Sequence, residues 1–291
     1  MSWLYFTLLA YLINAVAFVV DKYLLLFHIP RPFAYAFWVA ILSAFAAILI
    51  PFGVVMQNTT YLLVALVSGG SFFTALVFLY KAIKESDVSV ASTMSGVMTA
   101  VFTYFFAIML VGDPSDPANV IAMALLVVGM LFLGRIGREV WPLTILAGLF
   151  FAVSFVLLKL SFDWSDFING LFWTRMGFVG VALSSLVFKP FRYEILSSIQ
   201  GVVRSRSGVI FIANKVLATA GFLTLYYAIR LGKVSIVNSL LGFQFLFIFI
   251  IALLIRSKFP QIEEYVDKKH IFNKIIGISF VIVGLVFVAR V

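Results

Sequence analysis

Leu79–Gly96, LYKAIKESDVSVASTMSG, lies over Leu225–Gly242, LYYAIRLGKVSIVNSLLG, at a shift of 146 residues. Leu79, Tyr80, Ala82, Ile83, Val88, Ser89 and Gly96 recur as Leu225, Tyr226, Ala228, Ile229, Val234, Ser235 and Gly242. In each copy an apolar run ends in charged and turn-forming residues and a second run begins at once. That pattern reads as a tight hairpin of two long helices. Working outward, LLAYLINAVAFVVDK (8–22) lies over ILAGLFFAVSFVLLK (145–159) at a shift of 137, and Phe37-Trp38 recur as Phe172-Trp173. VVGMLFLGR (127–135) lies over VIVGLVFVAR (281–290). Shared apolar composition alone would not place identities at matched points of matched segments. The chain therefore divides into two related halves, 1–138 and 139–291.

Composition sets the class. The chain is 64% hydrophobic and 11% charged, with a mean hydropathy of +1.15. Soluble domains sit nearer 45–50% apolar and 25% charged. With no Cys, neither disulfides nor thiolate metal sites are available. The two His, His28 and His270, fall at predicted segment ends, and no HExxH motif or clustered carboxylates occur. No metal, cofactor or catalytic residue is expected. The +9 net charge is not a nucleic-acid footprint, because Lys and Arg on membrane-protein loops set orientation. The first segment lacks a basic start and a small-residue cleavage site, and reads as a retained helix.

A spanning helix needs about 20 mostly apolar residues. Ten such segments are read: 3–24, 33–52, 61–80, 88–111, 119–135, 141–160, 168–188, 208–229, 234–255 and 272–289. The stretches 189–207 and 256–271 read as longer polar loops. If the first loop is cytoplasmic, fifteen Lys and Arg lie inside and four outside, with Arg175 and Lys215 left in the membrane. The expectation is an integral, multi-pass protein of the plasma (inner) membrane, with both termini outside the cytoplasm. Five helices per half is an odd number, so the second half enters the membrane upside down. The expected fold is all-α: ten transmembrane helices as two inverted five-helix repeats. Inverted repeats with a site near the midplane mark alternating-access transporters.

The pattern LYxAIxxxxVSxxx[ST]xxG, carried by tight third–fourth helix hairpins in a 5+5 arrangement, resembles the EamA-type transporters of the drug/metabolite transporter superfamily. The resemblance covers nearly the whole chain. LVGD at 110–113, followed by Pro114, is similar to the end of the fourth helix in EamA repeats. Two departures stand out. Met98-Thr99 and Gln244-Phe245 fill places where family members often carry Glu-Pro, and the ninth helix ends in LIRSKFP rather than an acidic tail. The resemblance implies transport of a metabolite without naming it.

Arg175 and Lys215 stand inside apolar segments with no acid near them in sequence. A charge at the bilayer centre costs roughly 2.5–3.5 kcal/mol on insertion scales, and such residues face a bundle interior or a wet cavity. Both lie roughly 11–12 Å from a helix end, near the middle of a core about 30 Å thick. They align with Ala40 and Gly69 of the first half. The functional reading is a cavity that attracts a carboxylate, a phosphate or the anionic end of a zwitterion. The bland reading is an Arg that caps helix-end carbonyls and a Lys that snorkels.

Asn214 adds hydrogen-bonding capacity beside Lys215. Asn14 sits mid-span on the first helix, the repeat mates Trp38 and Trp173 are candidate cavity walls, and Asn238 and Gln244 lie on the ninth helix about 120° apart in phase. Ser92, Ser95 and Thr99 form a stripe that suits helix packing or a cavity wall. Tyr80, Tyr226 and Tyr227 near helix ends read as interfacial anchors. Gly69-Gly70, Gly177 and Gly180 suit close helix approach, whereas Gly129 to Gly134 is too loose to argue dimerisation. Asp21 is the one acid placed inside a span. A local pair with Lys22 is the simple reading, and a coupling site or partner of Lys215 the alternative.

The leading expectation is a secondary transporter of a small polar solute, anionic or zwitterionic. The alternative is a flippase for a lipid-linked anion such as a polyprenyl phosphate. A lateral, apolar-lined opening leading to Lys215 or Arg175 would mark it. The expected partners are that solute and the lipid bilayer, with no nucleic acid; a monomer is expected, with a dimer left open. No GxxxxGK[ST] sequence is present for direct ATP drive.

Overall fold

The computed structural model describes residues 2–112, 139–203 and 206–255, with short pieces at 120–121, 124–125, 128–129, 132, 272–273, 275–277, 279–280 and 283–284. The fifth and tenth predicted spans, the Gly129 to Gly134 spacing, Asp113-Pro114 and the 256–271 loop lie wholly or mainly outside the described residues. The described protein is all-α. Its helices are α1 (Ser2–Phe27), α2 (Pro32–Leu42), α3 (Thr59–Glu85), α4 (Val88–Phe106), α5 (Val140–Trp164), α6 (Phe167–Ser184), α7 (Lys189–Val203), α8 (Arg206–Leu231), α9 (Val234–Ser239) and α10 (Gly242–Ile255). Seven stretches are long and apolar enough to cross a bilayer: Trp3–Phe27, Pro32–Phe52, Thr59–Glu85, Val88–Val111, Val140–Trp164, Phe167–Val187 and Gly208–Leu231.

Local chemistry sets the helix ends. Pro32 opens α2, where a missing N–H is harmless. The Asn58 side chain accepts the Tyr61 N–H and starts α3. Asp166 accepts from Ile168 and Asn169 and starts α6. Gly53, at φ 102°, turns the chain out of the second span.

That span is not uniform. Up to Ala40 it is buried, but from Ser43 to Phe52 it runs as a 3-10 helix with no buried residue. Ten residues is long for this form. Pro51 lies inside it.

Two expectations need correction. Residues 189–203 form α7 rather than a loop. Phe191, Ile195 and Ser198 recur at helical spacing and face α2: Phe191 stacks on Phe33 at 4.2 Å, and Ser198 accepts from the Trp38 indole at 2.9 Å. Polar composition masked this amphipathic helix. The ninth span is broken at Leu240–Leu241, where i→i+3 hydrogen bonds from Leu241 to Asn238 and from Gln244 to Leu241 replace the α ladder. Gly242 follows the break.

α3 runs through the middle of the bundle against α5 and α6, while α1 packs on α8 and α10, and α4 on α5. Phe72 of α3 is the hub of an aromatic core, with edge-on rings from Phe151, Phe178 and Phe222 at 5.3–5.5 Å. A Cβ on Gly69 would run into the Thr174 carbonyl and the Phe178 nitrogen, and one on Gly177 into Leu66 and the Ala65 carbonyl. These two glycines let α3 and α6 touch backbone to backbone. Gly180 meets nothing within 4 Å, so it has no such role.

Candidate functional site

Asp21 and Lys215 form the centre of the site. They are 194 residues apart in sequence, and Lys215 Nζ lies 2.6 Å from Asp21 Oδ1. Asp21 is 1% exposed and Lys215 5%. The expected local pair of Asp21 with Lys22 gives way to this long-range pair. Lys22 instead donates to the carbonyls of Ile83 (2.6 Å) and Ser86 (2.7 Å) at the end of α3.

Two more donors converge on Asp21 Oδ1: the Tyr35 hydroxyl at 2.6 Å and the Asn214 amide at 2.5 Å. Ala17 and Asp21 are one helical turn apart on α1, and the Asn214 amide reaches both, with the Ala17 carbonyl at 3.2 Å. This bridge fixes the register of α1 against α8. The ammonium of Lys215 lies over the rings of Tyr35 (4.7 Å), Tyr80 (5.5 Å) and Phe211 (5.7 Å). Asn214 Oδ1 is buried and has no donor.

Arg175 of α6 is held differently. Its Nη2 donates to the Tyr226 hydroxyl at 2.8 Å, and its guanidinium lies 4.9–5.8 Å from the rings of Tyr226, Phe72 and Phe178. Among the described residues no carboxylate lies within ion-pair distance of it. Asp21, Lys215, Tyr80 and Arg175 together line a small cavity between the second span and α8. Leu42, Ser43, Arg175 and Thr219 also line a second, larger pocket that adjoins it. The walls of the latter include Phe45 and Ile48, 77% and 72% exposed, with Leu49, Leu171 and Leu223.

A third, small cavity shares Phe18 and Phe222 with the first. It is lined by Asn14, Ser92, Ser95, Thr99 and Gln244 among phenylalanine rings. The serine and threonine stripe of α4 therefore faces a cavity. Asn14 Oδ1 and Ser95 Oγ are buried without partners.

The remaining candidates lie elsewhere. Trp38 is tied to α7 through Ser198, and Trp173 donates to the Val55 carbonyl at 3.1 Å, in the turn before α3. Asn238 donates to Thr103 at 3.2 Å. The structure thus brings Lys215, Asn214, Arg175 and Asp21 together, places Asn14 and Gln244 in the adjoining cavity, and leaves Trp38, Trp173 and Asn238 outside both. Tyr80 and Tyr226 are buried partners of the two cations rather than interfacial anchors. Tyr35 is a site residue that sequence reasoning missed, because a tyrosine in an apolar run carries no signal of its partner.

No three His, Asp or Glu side chains come together as a metal site would need, among the described residues. No family model matches the chain, and no curated protein matches it. A protein of known crystal structure matches at a TM-score of 0.56 with 14% identity, over 97% of this chain and 93% of the other. A likeness at that identity shows the fold alone.

Proposed function

We propose that the chain is a secondary transporter built of two inverted five-helix repeats, related to the EamA-type transporters. It moves a small polar metabolite bearing an anionic or zwitterionic charge by alternating access. The observation that carries this reading is a single cavity, inside an apolar bundle, faced by a buried Asp21–Lys215 pair and by Arg175, which has no acidic partner among the described residues. A charge kept inside a membrane bundle is a functional-site signal, and Arg presents a planar fork suited to carboxylate or phosphate.

Contacts between repeat mates support the two-repeat architecture. Lys22 and Lys159 are matched in sequence, as are Lys84 and Arg230. Lys22 Nζ lies 3.4 Å from the Lys84 carbonyl, and Lys159 Nζ lies 3.3 Å from the Arg230 carbonyl. Likewise α1 packs on α8 as α5 packs on α3.

The test is a thermal-shift screen of the purified protein against amino acids, carboxylates, sugar phosphates and nucleotide sugars. Lys215→Gln and Arg175→Gln run beside the wild type, and uptake into proteoliposomes follows. A ligand at 100 times its Kd adds about 2.7 kcal/mol of stability. Stabilisation by one anionic class that either variant abolishes supports the reading; equal shifts in all three proteins sink it.

A second reading is favoured by the opening beside Phe45 and Ile48. Its walls are mainly apolar, with Ser43, Thr219 and Arg175 as the polar groups shared with the inner cavity. That is the feature expected of a flippase for a lipid-linked anion. Stabilisation by prenyl phosphates but not by water-soluble phosphates selects it.

A further inference from the structure

The cavity beneath the second span holds two cations and one acid. With Asp21 ionised, Lys215 is matched, and among the described residues Arg175 supplies the cavity's uncompensated positive charge. The groups facing Asp21 are Lys215 of α8, Tyr35 of α2 and Tyr80 of α3, with the neutral Asn214 beside them. On α1 itself, the neighbouring Lys22 reaches the α3 carbonyls. We propose that this site binds a doubly charged tetrahedral anion, the chemistry of a phosphate monoester, together with one proton that neutralises Asp21. The inference rests on the transporter reading above.

The argument is one of charge. A singly charged ligand is satisfied by Arg175 and leaves the Asp21–Lys215 pair closed. A second negative charge needs Lys215. If Lys215 turned to it while Asp21 stayed ionised, a carboxylate would be left buried with only hydroxyl and amide donors, the costly outcome of splitting a buried pair. A proton on Asp21 removes that obstacle. The neutral acid then has a hydrogen to give, and Asn214 Oδ1 is the buried acceptor without a donor. A half-turn of the Asn214 amide changes it from donor to the carboxylate into acceptor from the acid, at the expense of its bond to the Ala17 carbonyl. The site gains one positive charge, the ligand brings two negative ones, and the filled cavity is neutral.

The test uses the full chain in uncharged detergent and two probes of one shape. Sulfate is a dianion from pH 5.5 to 8, and methanesulfonate a monoanion over the same range. Calorimetric titrations in buffers of different ionisation enthalpy count the protons. Sulfate binding is expected to take up one proton, and its affinity to rise about tenfold per unit fall in pH while the free site is ionised. Methanesulfonate takes up none and shows a flat profile. Asp21→Asn is expected to bind sulfate with no proton uptake and no pH dependence. If that variant misfolds, the proton count of the wild type still decides. Sulfate binding without proton uptake, or binding of methanesulfonate alone, overturns the proposal and leaves the transporter reading intact. Binding of neither anion at any pH overturns the proposal, and the transporter reading is then decided by the thermal-shift screen with amino acids and carboxylates. Competition then tells the sources apart: displacement of sulfate by glycerol 3-phosphate marks a soluble monoester, and displacement by dodecyl phosphate alone marks a lipid phosphate. Failure of both to displace it removes the monoester assignment.

Discussion

Gly69 on α3 and Lys215 on α8 hold matched positions in the two halves of the sequence, and the seams they sit on differ. At Gly69 the backbone of α6 lies directly against α3. At Lys215 a four-carbon side chain stands in the corresponding place, and a cavity separates α8 from the second span. A seam closed through glycine leaves no room for charge. A seam that carries a lysine cannot close in the same way, and its charge needs a counter-charge from a third helix, which α1 supplies as Asp21. In the alternating-access reading, one side is shut and the other open, and the choice of residue at one matched position goes with that difference.

The comparison breaks most severely when one partner of the buried pair is removed. Lys215→Met leaves Asp21 without its counter-charge, with an expected loss of about 3–5 kcal/mol. The double variant Asp21→Leu/Lys215→Met replaces the pair by apolar groups and is expected to recover most of that loss. Equilibrium unfolding in mixed detergent measures both. A double variant no more stable than the single one would show that the pair does not act as a unit.

The closed seam is tested next. Gly69→Ala puts a methyl into the α6 backbone, with an expected cost of about 1–3 kcal/mol. Gly180→Ala, on the open face of α6, is expected to stay within about 0.5 kcal/mol. Equal melting temperatures for the two variants would mean that the seam yields easily.

Much of this contrast was legible in the sequence, for a physical reason. Helices that cross lipid must be long and apolar, so length and hydropathy placed the seven long apolar stretches among the described residues with ends within five residues. Lys215, Arg175 and Asp21 stood out because charge is rare there. Their partners did not stand out. The Asp21–Lys215 pair was open only as the alternative to a local pair with Lys22, because nothing local to Asp21 selects a lysine 194 residues away, and Tyr35 and Tyr80 look like any aromatics in an apolar run. Trp38 and Trp173 show the opposite error. Matched positions suggested a shared cavity, but each indole reaches the nearest acceptor outside it, Ser198 in one case and Val55 in the other. α7 was missed because amphipathic periodicity is weaker than the polar composition that surrounds it.

Arg175 sharpens the comparison at lower cost. It lies on the closing helix but faces the open cavity, and it holds one hydroxyl and three rings rather than a carboxylate. Arg175→Gln is therefore expected to change stability by no more than about 1 kcal/mol and to weaken anion binding at least tenfold, about 1.4 kcal/mol. Thermal shifts with and without ligand separate the two effects. A large loss of stability with unchanged binding would make Arg175 a structural residue.

The smallest effect lies at the outer end of the closed seam. Asp166 caps α6, and Asn169 one turn on carries the cap to the turn before α3, donating to the Gly53 carbonyl and accepting from the Val55 N–H. Burial pushes the Asp166 carboxyl up, but hydrogen bonds from Asn169 and Ile168 and the charge of Arg230 outweigh it and hold the group below its ordinary 3.8. A depressed carboxyl stabilises the fold above its unfolded value, and that contribution drains away as pH falls through the folded one. The wild type should therefore lose this contribution only in acid, below pH 3.8. Asp166→Ala should lack it at all pH values, with a loss at neutrality of about 1 kcal/mol, the usual worth of such a cap. Melting curves from pH 7 to 3 test this: the two proteins should converge at the acid end. Parallel curves down to pH 3 would show that the carboxylate charge is not what holds the end of α6.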